Sequence, residues 1–177
     1  MIYETRTYRL KPRSVPEFVS TFGKAYEKRQ SLSKLSAFFV TEIGPLNEVI
    51  HIWPYKDAAE REKKRIKSTQ DKKYSWPPKI GHLLENMQSE TFVPSPMTPT
   101  FTKGNKGPIF EWREYGAIPG KIPEIYKNWE KAIAKRTAMS ELVMAMHTDT
   151  GTLNKFVHIW AYESLEHRAE VRAEAAA

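Results

Sequence analysis

Residues 2–10 alternate along the chain. Ile2, Glu4, Arg6 and Tyr8 share one side, and Tyr3, Thr5, Thr7 and Arg9 share the other. That period, with its Thr and Tyr content, predicts a strand. Lys11-Pro12-Arg13 breaks it. Ser14 stands where a helix cap belongs, and Pro16 suits a first turn. Val15, Phe18, Val19, Phe22, Ala25 and Tyr26 then recur at helical spacing. Ala37–Thr41 predicts a buried strand, Gly44-Pro45-Leu46-Asn47 a turn, and Val49–Tyr55 the returning arm of a hairpin. Asp57 is placed to cap a charged helix of about three turns. Trp76-Pro77-Pro78 reads as a helix start, and Ile80, Leu83, Leu84 and Met87 predict the helix that follows. Thr91-Phe92-Val93 closes the unit as a short strand. The order is β-α-β-β-α-β, the ferredoxin-like pattern.

The pattern then returns. Asn47-Glu48-Val49-Ile50-His51-Ile52-Trp53-Pro54-Tyr55 comes back as Asn154-Lys155-Phe156-Val157-His158-Ile159-Trp160-Ala161-Tyr162, a shift of 158 − 51 = 107 residues. The same shift carries residues 2–8 onto 109–115, and roughly a third of positions match without a gap. The helical stripe is repeated by Ile122, Ile125, Tyr126, Trp129, Ala132 and Ile133. A tandem duplication is the economical reading. It divides the chain into a first unit at 1–93, a Pro/Gly-rich linker at 94–108 and a second unit at 109–177. Nothing in the second unit answers to Trp76–Val93, so it is expected to lack its final helix and strand. That predicts an open sheet edge and homo-oligomerisation.

The fold class is therefore α+β. A ferredoxin-like unit covers one sheet face with its helices, and the other face must be buried as well. In the hairpin, Ile50, Ile52 and Pro54 form an aliphatic side suited to lie under helices. Val49, His51, Trp53 and Tyr55 form a mixed side, matched by Ile2, Glu4, Arg6 and Tyr8 of the first strand. Two units burying their mixed sides together would form a pseudo-dimeric α+β barrel.

Composition narrows the chemistry. The absence of cysteine among 177 residues removes disulfides, thiol nucleophiles and cysteine–zinc sites. No apolar run reaches a membrane span, and strand one begins at Ile2 with no room for a leader, so a cytoplasmic protein is expected. The net charge is +7, but the basic run Arg61–Lys67 is interleaved with a carboxylate and reads as a solvated helix face. Nucleic acid is not an expected partner. No nucleotide or metalloprotease motif is present. His147, Asp149 and His158 lie close in the second unit, but the cluster has no equivalent in the first, so neither metal nor cofactor is expected.

The residues kept in both copies are the site candidates. His51 and His158 are the candidates for proton transfer, since imidazole titrates near neutrality. Glu4, Arg6, Tyr8 and Trp53, with Glu111, Arg113, Tyr115 and Trp160, are the ligand-binding candidates. A buried Glu–Arg pair is either a structural network or the polar end of a pocket, and the sequence leaves both open.

The Glu-x-Arg-x-Tyr strand, the proline-led helix and the run Gly44, Leu46, Asn47, His51, Ile52, Trp53, Tyr55, Arg61 and Arg65 together resemble the NIPSNAP family. Gly151, Leu153, Asn154, His158, Ile159, Trp160, Tyr162, Arg168 and Arg172 repeat the run. The resemblance implies a fold similar to the dimeric α+β barrel superfamily, and a protein without an established reaction. The expected function is binding of a small, partly apolar molecule, or service as an interaction protein. The alternatives are a cofactor-independent monooxygenase- or isomerase-like enzyme, with Arg6 or Arg113 holding an anion, and a basic nucleic-acid or membrane-surface module.

Overall fold

A computed structural model describes residues 1–100 and 107–176; positions 101–106 of the expected linker, and Ala177, lie outside the described residues. The chain is α+β and falls into two compact units, Met1–Thr91 and Phe92–Ala177. The first contains β1 (Ile2–Leu10), α1 (Val15–Arg29), β2 (Ala37–Val40), β3 (Glu48–Tyr55), α2 (Ala58–Gln70) and most of β4 (Leu84–Pro94). The second contains the end of β4, then β5 (Ile109–Gly116), α3 (Ile122–Thr137), β6 (Glu141–Thr150), β7 (Lys155–Tyr162) and α4 (Leu165–Ala176). No described helix is long and apolar enough to cross a membrane.

In the first unit the strands lie in the order β2-β3-β1-β4. β3 is antiparallel to both β1 and β2, with Glu4 opposite Trp53, Arg6 opposite His51 and Tyr8 opposite Val49. In the second unit β7 is antiparallel to β5 and β6, with Glu111 opposite Trp160, Arg113 opposite His158 and Tyr115 opposite Phe156. Each register places the kept strand-one residues beside the kept His and Trp.

The mixed face is not where the pattern placed it. It lies under the unit's own helix. Phe18 and Phe22 of α1 pack on Tyr8, His51 and Trp53, with Phe22 and His51 ring centres 5.0 Å apart. In the second unit Trp129 of α3 packs on Phe156, His158 and Trp160. The aromatic rings decide this. They carry far more apolar area than Ile50, Ile52 and Pro54, and the helix stripe is itself aromatic.

Two local expectations also change. Ser14 makes no side-chain cap, and α1 is set by the proline in its first turn and by Glu17 and Lys28–Arg29 at the matching dipole ends. The helix expected over Ile80–Met87 is a short 3-10 turn, Gly81–Leu83, followed directly by β4, and Trp76 starts no helix. Apolar spacing at 80, 83, 84 and 87 mimics a helix. The backbone instead extends beside β1, where the N–H of Lys11 donates to the carbonyl of Leu83 at 2.9 Å.

Asp57 does cap α2. Its carboxylate accepts from the Glu60 N–H at 2.8 Å, while the Glu60 carboxylate accepts from the Lys56 N–H. Asp57→Ala is expected to cost about 1 kcal/mol in urea unfolding, as caps generally do. An unchanged midpoint would show that tertiary packing alone holds this helix.

Candidate functional site

Alternation along β1 turns Glu4, Arg6 and Tyr8 to the same side. Glu4 is completely buried. Its Oε1 accepts from Arg6 Nε at 3.1 Å, Arg61 Nη2 at 2.7 Å, Arg65 Nη1 at 3.4 Å and Ser89 Oγ at 2.8 Å. Arg61 and Arg65 stand four residues apart on α2, so one turn presents both to one carboxylate. The basic run is therefore not wholly a solvated face. Two of its arginines turn inward, because a buried carboxylate needs paired donors. Burial pushes the Glu4 carboxyl up, but the Arg61 hydrogen bond, the Arg6 charge, Ser89 and Arg65 outweigh it and hold it below the usual range. Glu4 Oε2 has no hydrogen-bond partner.

Arg6 Nη1 also donates to the Tyr8 hydroxyl at 2.9 Å. Beside it, the Trp53 indole N–H donates to His51 Nδ1 at 2.7 Å. A neutral ring with Nδ1 accepting carries its proton on Nε2, and Nε2 is buried without a partner. Burial first, and the Arg6 charge second, push the His51 imidazole down to about 3.

The second unit repeats the arrangement. Glu111 Oε1 accepts from Arg168 and, at 3.1 Å, from Arg172. Arg113 Nη1 lies 3.7 Å from it, and the Tyr162 hydroxyl donates to Oε2 at 3.2 Å. The Trp160 N–H donates to His158 Nδ1 at 2.6 Å, and burial followed by the Arg113 charge pushes His158 down to about 4. Tyr115 stacks on His158, and Arg113 Nε donates to its hydroxyl at 2.8 Å. All ten sequence candidates thus gather into two equivalent clusters. His147 belongs to neither: its Nδ1 lies 2.5 Å from the Tyr126 hydroxyl. Among the described residues no three potential ligands group around a metal position.

Each cluster forms the polar end of a cavity. The first is about 650 Å³, with Phe22, Trp53, Trp76, Ile80 and Met87 among its apolar walls and Glu4, Arg6, Arg29 and Arg65 among its polar ones. The second is about 600 Å³, with Ile125, Trp129, Phe156 and Trp160 beside Glu111, Arg113, Arg136, His158 and Arg172. Both lie in the size range of small-molecule sites.

Sequence reading left two arginines out. Arg29 and Arg136, at the ends of α1 and α3, reach these cavities, and the duplication relates them: 136 − 29 = 107. Arg29 lies 5.0 Å from the Trp53 ring and 5.6 Å from the Trp76 ring. Arg136 lies 4.0 Å over Trp160. The repeat filter could have found them, since both stand at the same position of the repeated helix. Arg61, Arg65, Arg168 and Arg172 were visible in the motif without a role, which only the strand–helix juxtaposition supplies.

Comparison with known proteins follows the same residues. The NIPSNAP family profile matches 3–99 and 110–177. Protein NipSnap homolog of Dictyostelium discoideum is 27% identical over 97% of this chain and 74% of its own length. Protein NipSnap homolog 3B of Mus musculus is 30% identical over 96% of this chain and 70% of its own. The crystal structure of Atu4242 from Agrobacterium tumefaciens, a NIPSNAP family protein, is 34% identical, with TM-score 0.53 over 56% of this chain and 98% of that one. A putative monooxygenase from Fusobacterium nucleatum shares the fold alone, at 12% identity, with TM-score 0.69 over 97% of this chain and 80% of that one. On the profile match, which takes in both Glu–Arg–His–Trp clusters, the chain belongs to the NIPSNAP family.

Proposed function

We propose that this protein binds a small, partly apolar molecule between the mixed sheet face and the proline-led helix of a unit. The observation that carries this reading is a cavity of ligand size in each unit, about 650 and about 600 Å³, lined at the same positions by kept polar and aromatic side chains. Apolar walls supply the affinity, and the Glu–Arg end supplies orientation. The pairing registers around His51 and His158 are the same, which also supports reading the chain as a duplicated ferredoxin-like unit.

In this reading the histidines are not proton carriers. A general base works best with a pKa near the ambient pH. His51 and His158 lie well below it, with Nδ1 already engaged. They act as neutral supports, holding the tryptophan walls by the indole hydrogen bond.

The test is to denature the purified protein and identify the released small molecules by mass spectrometry. A compound recovered in near-stoichiometric amount is expected. The absence of both a retained compound and any change in tryptophan emission across a panel of small amphiphiles would remove the reading.

A further inference from the structure

The two cavities differ at the arginine that their proline-led helices share. In the second, Arg136 Nη1 donates to Ser140 Oγ at 2.6 Å and Nη2 to the Tyr162 hydroxyl at 2.9 Å. In the first, the equivalent Arg29 is 2% exposed, yet its Nε and Nη1 have no hydrogen-bond partner. Ser33, at the position matching Ser140 (140 − 33 = 107), is also buried, with its hydroxyl unpartnered. Tyr55 offers Arg29 one partner, but burying two guanidinium nitrogens without acceptors is costly. Two indole faces compensate part of that cost, because a ring quadrupole attracts a cation, but they accept no N–H bond in the guanidinium plane.

The charges around the first cavity point the same way. Arg6, Arg29 and Arg65 line it against a single lining carboxylate, Glu4. That carboxylate is already held by Arg6, Arg61 and Arg65, so it does not neutralise Arg29. Phe22, Trp53, Trp76 and Ile80 are among the apolar residues of the remaining wall. A planar cation with unpaired nitrogens, set against two tryptophans in the wall of an aromatic chamber, suits one kind of guest. The guest is an acid group on an apolar body.

We propose that the first unit's cavity takes an organic anion, a carboxylate or phosphate carried on an aromatic or aliphatic body, and that Arg29 grips its acid group. This rests on the binding reading above and adds the class of ligand. Arg29 donates to the acid oxygens, and Trp53 and Trp76 line the wall beside the body. The second cavity, whose arginine already donates to Ser140 and Tyr162, lacks the same preference.

The experiment uses the full chain and three probes of similar shape: 2-naphthoate, 2-naphthyl phosphate and the uncharged 2-acetylnaphthalene. Binding is measured by calorimetry at fixed ionic strength for wild type, Arg29→Met, Arg29→Lys and Lys24→Met, the last removing an exposed charge from the same helix. Wild type is expected to bind an anionic probe at least about tenfold more tightly than the ketone, the scale of a charged hydrogen bond. The tighter anion identifies the acid group. Arg29→Met is expected to lose that preference, roughly tenfold to a hundredfold, and to leave the ketone unchanged. Arg29→Lys should retain part of it, and Lys24→Met all of it. Equal binding of acid and ketone by wild type, which needs no variant, overturns the assignment and leaves the binding reading standing. So does an Arg29→Met protein that unfolds at a lower temperature while keeping the anion preference, since the arginine is then structural. Failure of all three probes to bind removes both.

Discussion

Replacing Glu4 by alanine is expected to destabilise the protein by about 3 kcal/mol, the lower end of the cost of removing one partner from a buried ionic cluster. Glu4 is wholly buried and holds Arg6, Arg61 and Arg65 around one oxygen. Its removal leaves three like charges facing one another. The arginine side chains keep between 23% and 38% of their exposure, so water relieves part of the repulsion and the upper end of the range is not reached. Adding Arg61→Met to Glu4→Ala should recover part of the loss, because an apolar replacement removes an unpaired cation. Glu111→Ala should cost less, about 1–2 kcal/mol, since that carboxylate keeps some contact with water and its arginines are similarly exposed. Chemical unfolding of Glu4→Ala, Arg61→Met, their combination and Glu111→Ala measures all of this. Strict additivity of Glu4→Ala and Arg61→Met would contradict a shared cluster.

Stability is expected to fall with acid well before the carboxylate range. An imidazole in the unfolded chain titrates near 6.5, whereas folded His51 is pushed down to about 3. Between those values the unfolded chain holds a proton that the folded one refuses, so protonation favours unfolding. The stability is therefore complete above pH 6.5 and declines as the pH drops towards 3. For His51 the full loss is about 5 kcal/mol. His158, pushed down to about 4, adds a smaller loss over a narrower window. Glu4, held below the usual range, acts in the same direction below about pH 4.5. Urea midpoints at pH 7, 6, 5 and 4 should decline from the first step. His51→Asn keeps an acceptor for the Trp53 N–H and should flatten the slope between pH 6.5 and 4.5, whatever it does to absolute stability. A wild-type profile level from pH 7 to 5 would show that the imidazole reaches water in the folded state.

The same residues separate what was legible in the chain from what was not. Period-2 alternation marked β1 and β3. The aromatic stripe marked α1 and α3. The 107-residue shift brought forward Glu4, Arg6, Tyr8, His51 and Trp53 with their counterparts. These are local signals, since strand and helix geometry dictate which neighbours share a face, and that periodicity is written directly in the order of residues.

The segment from Ile80 to Met87 misled, because its apolar spacing fits a helix while pairing beside β1 stabilises an extended chain. The mixed face was assigned to the wrong covering for a related reason. Periodicity says which side chains lie together but not which element lies over them. Burial energy settles that, and Phe18, Phe22 and Trp129 prefer the face with the largest apolar area. Arg61 and Arg65 read as solvent-facing until the helix was laid against Glu4, 57 and 61 residues away in sequence. The residues and their spacing thus determined the family, the elements and most of the site's membership. The tertiary structure decided which face carries the helix, that each histidine takes an indole N–H at Nδ1, and that Arg29 lines a cavity with two of its nitrogens unpaired. Burial and charge pairing act between residues far apart along the chain, so no local pattern encodes them.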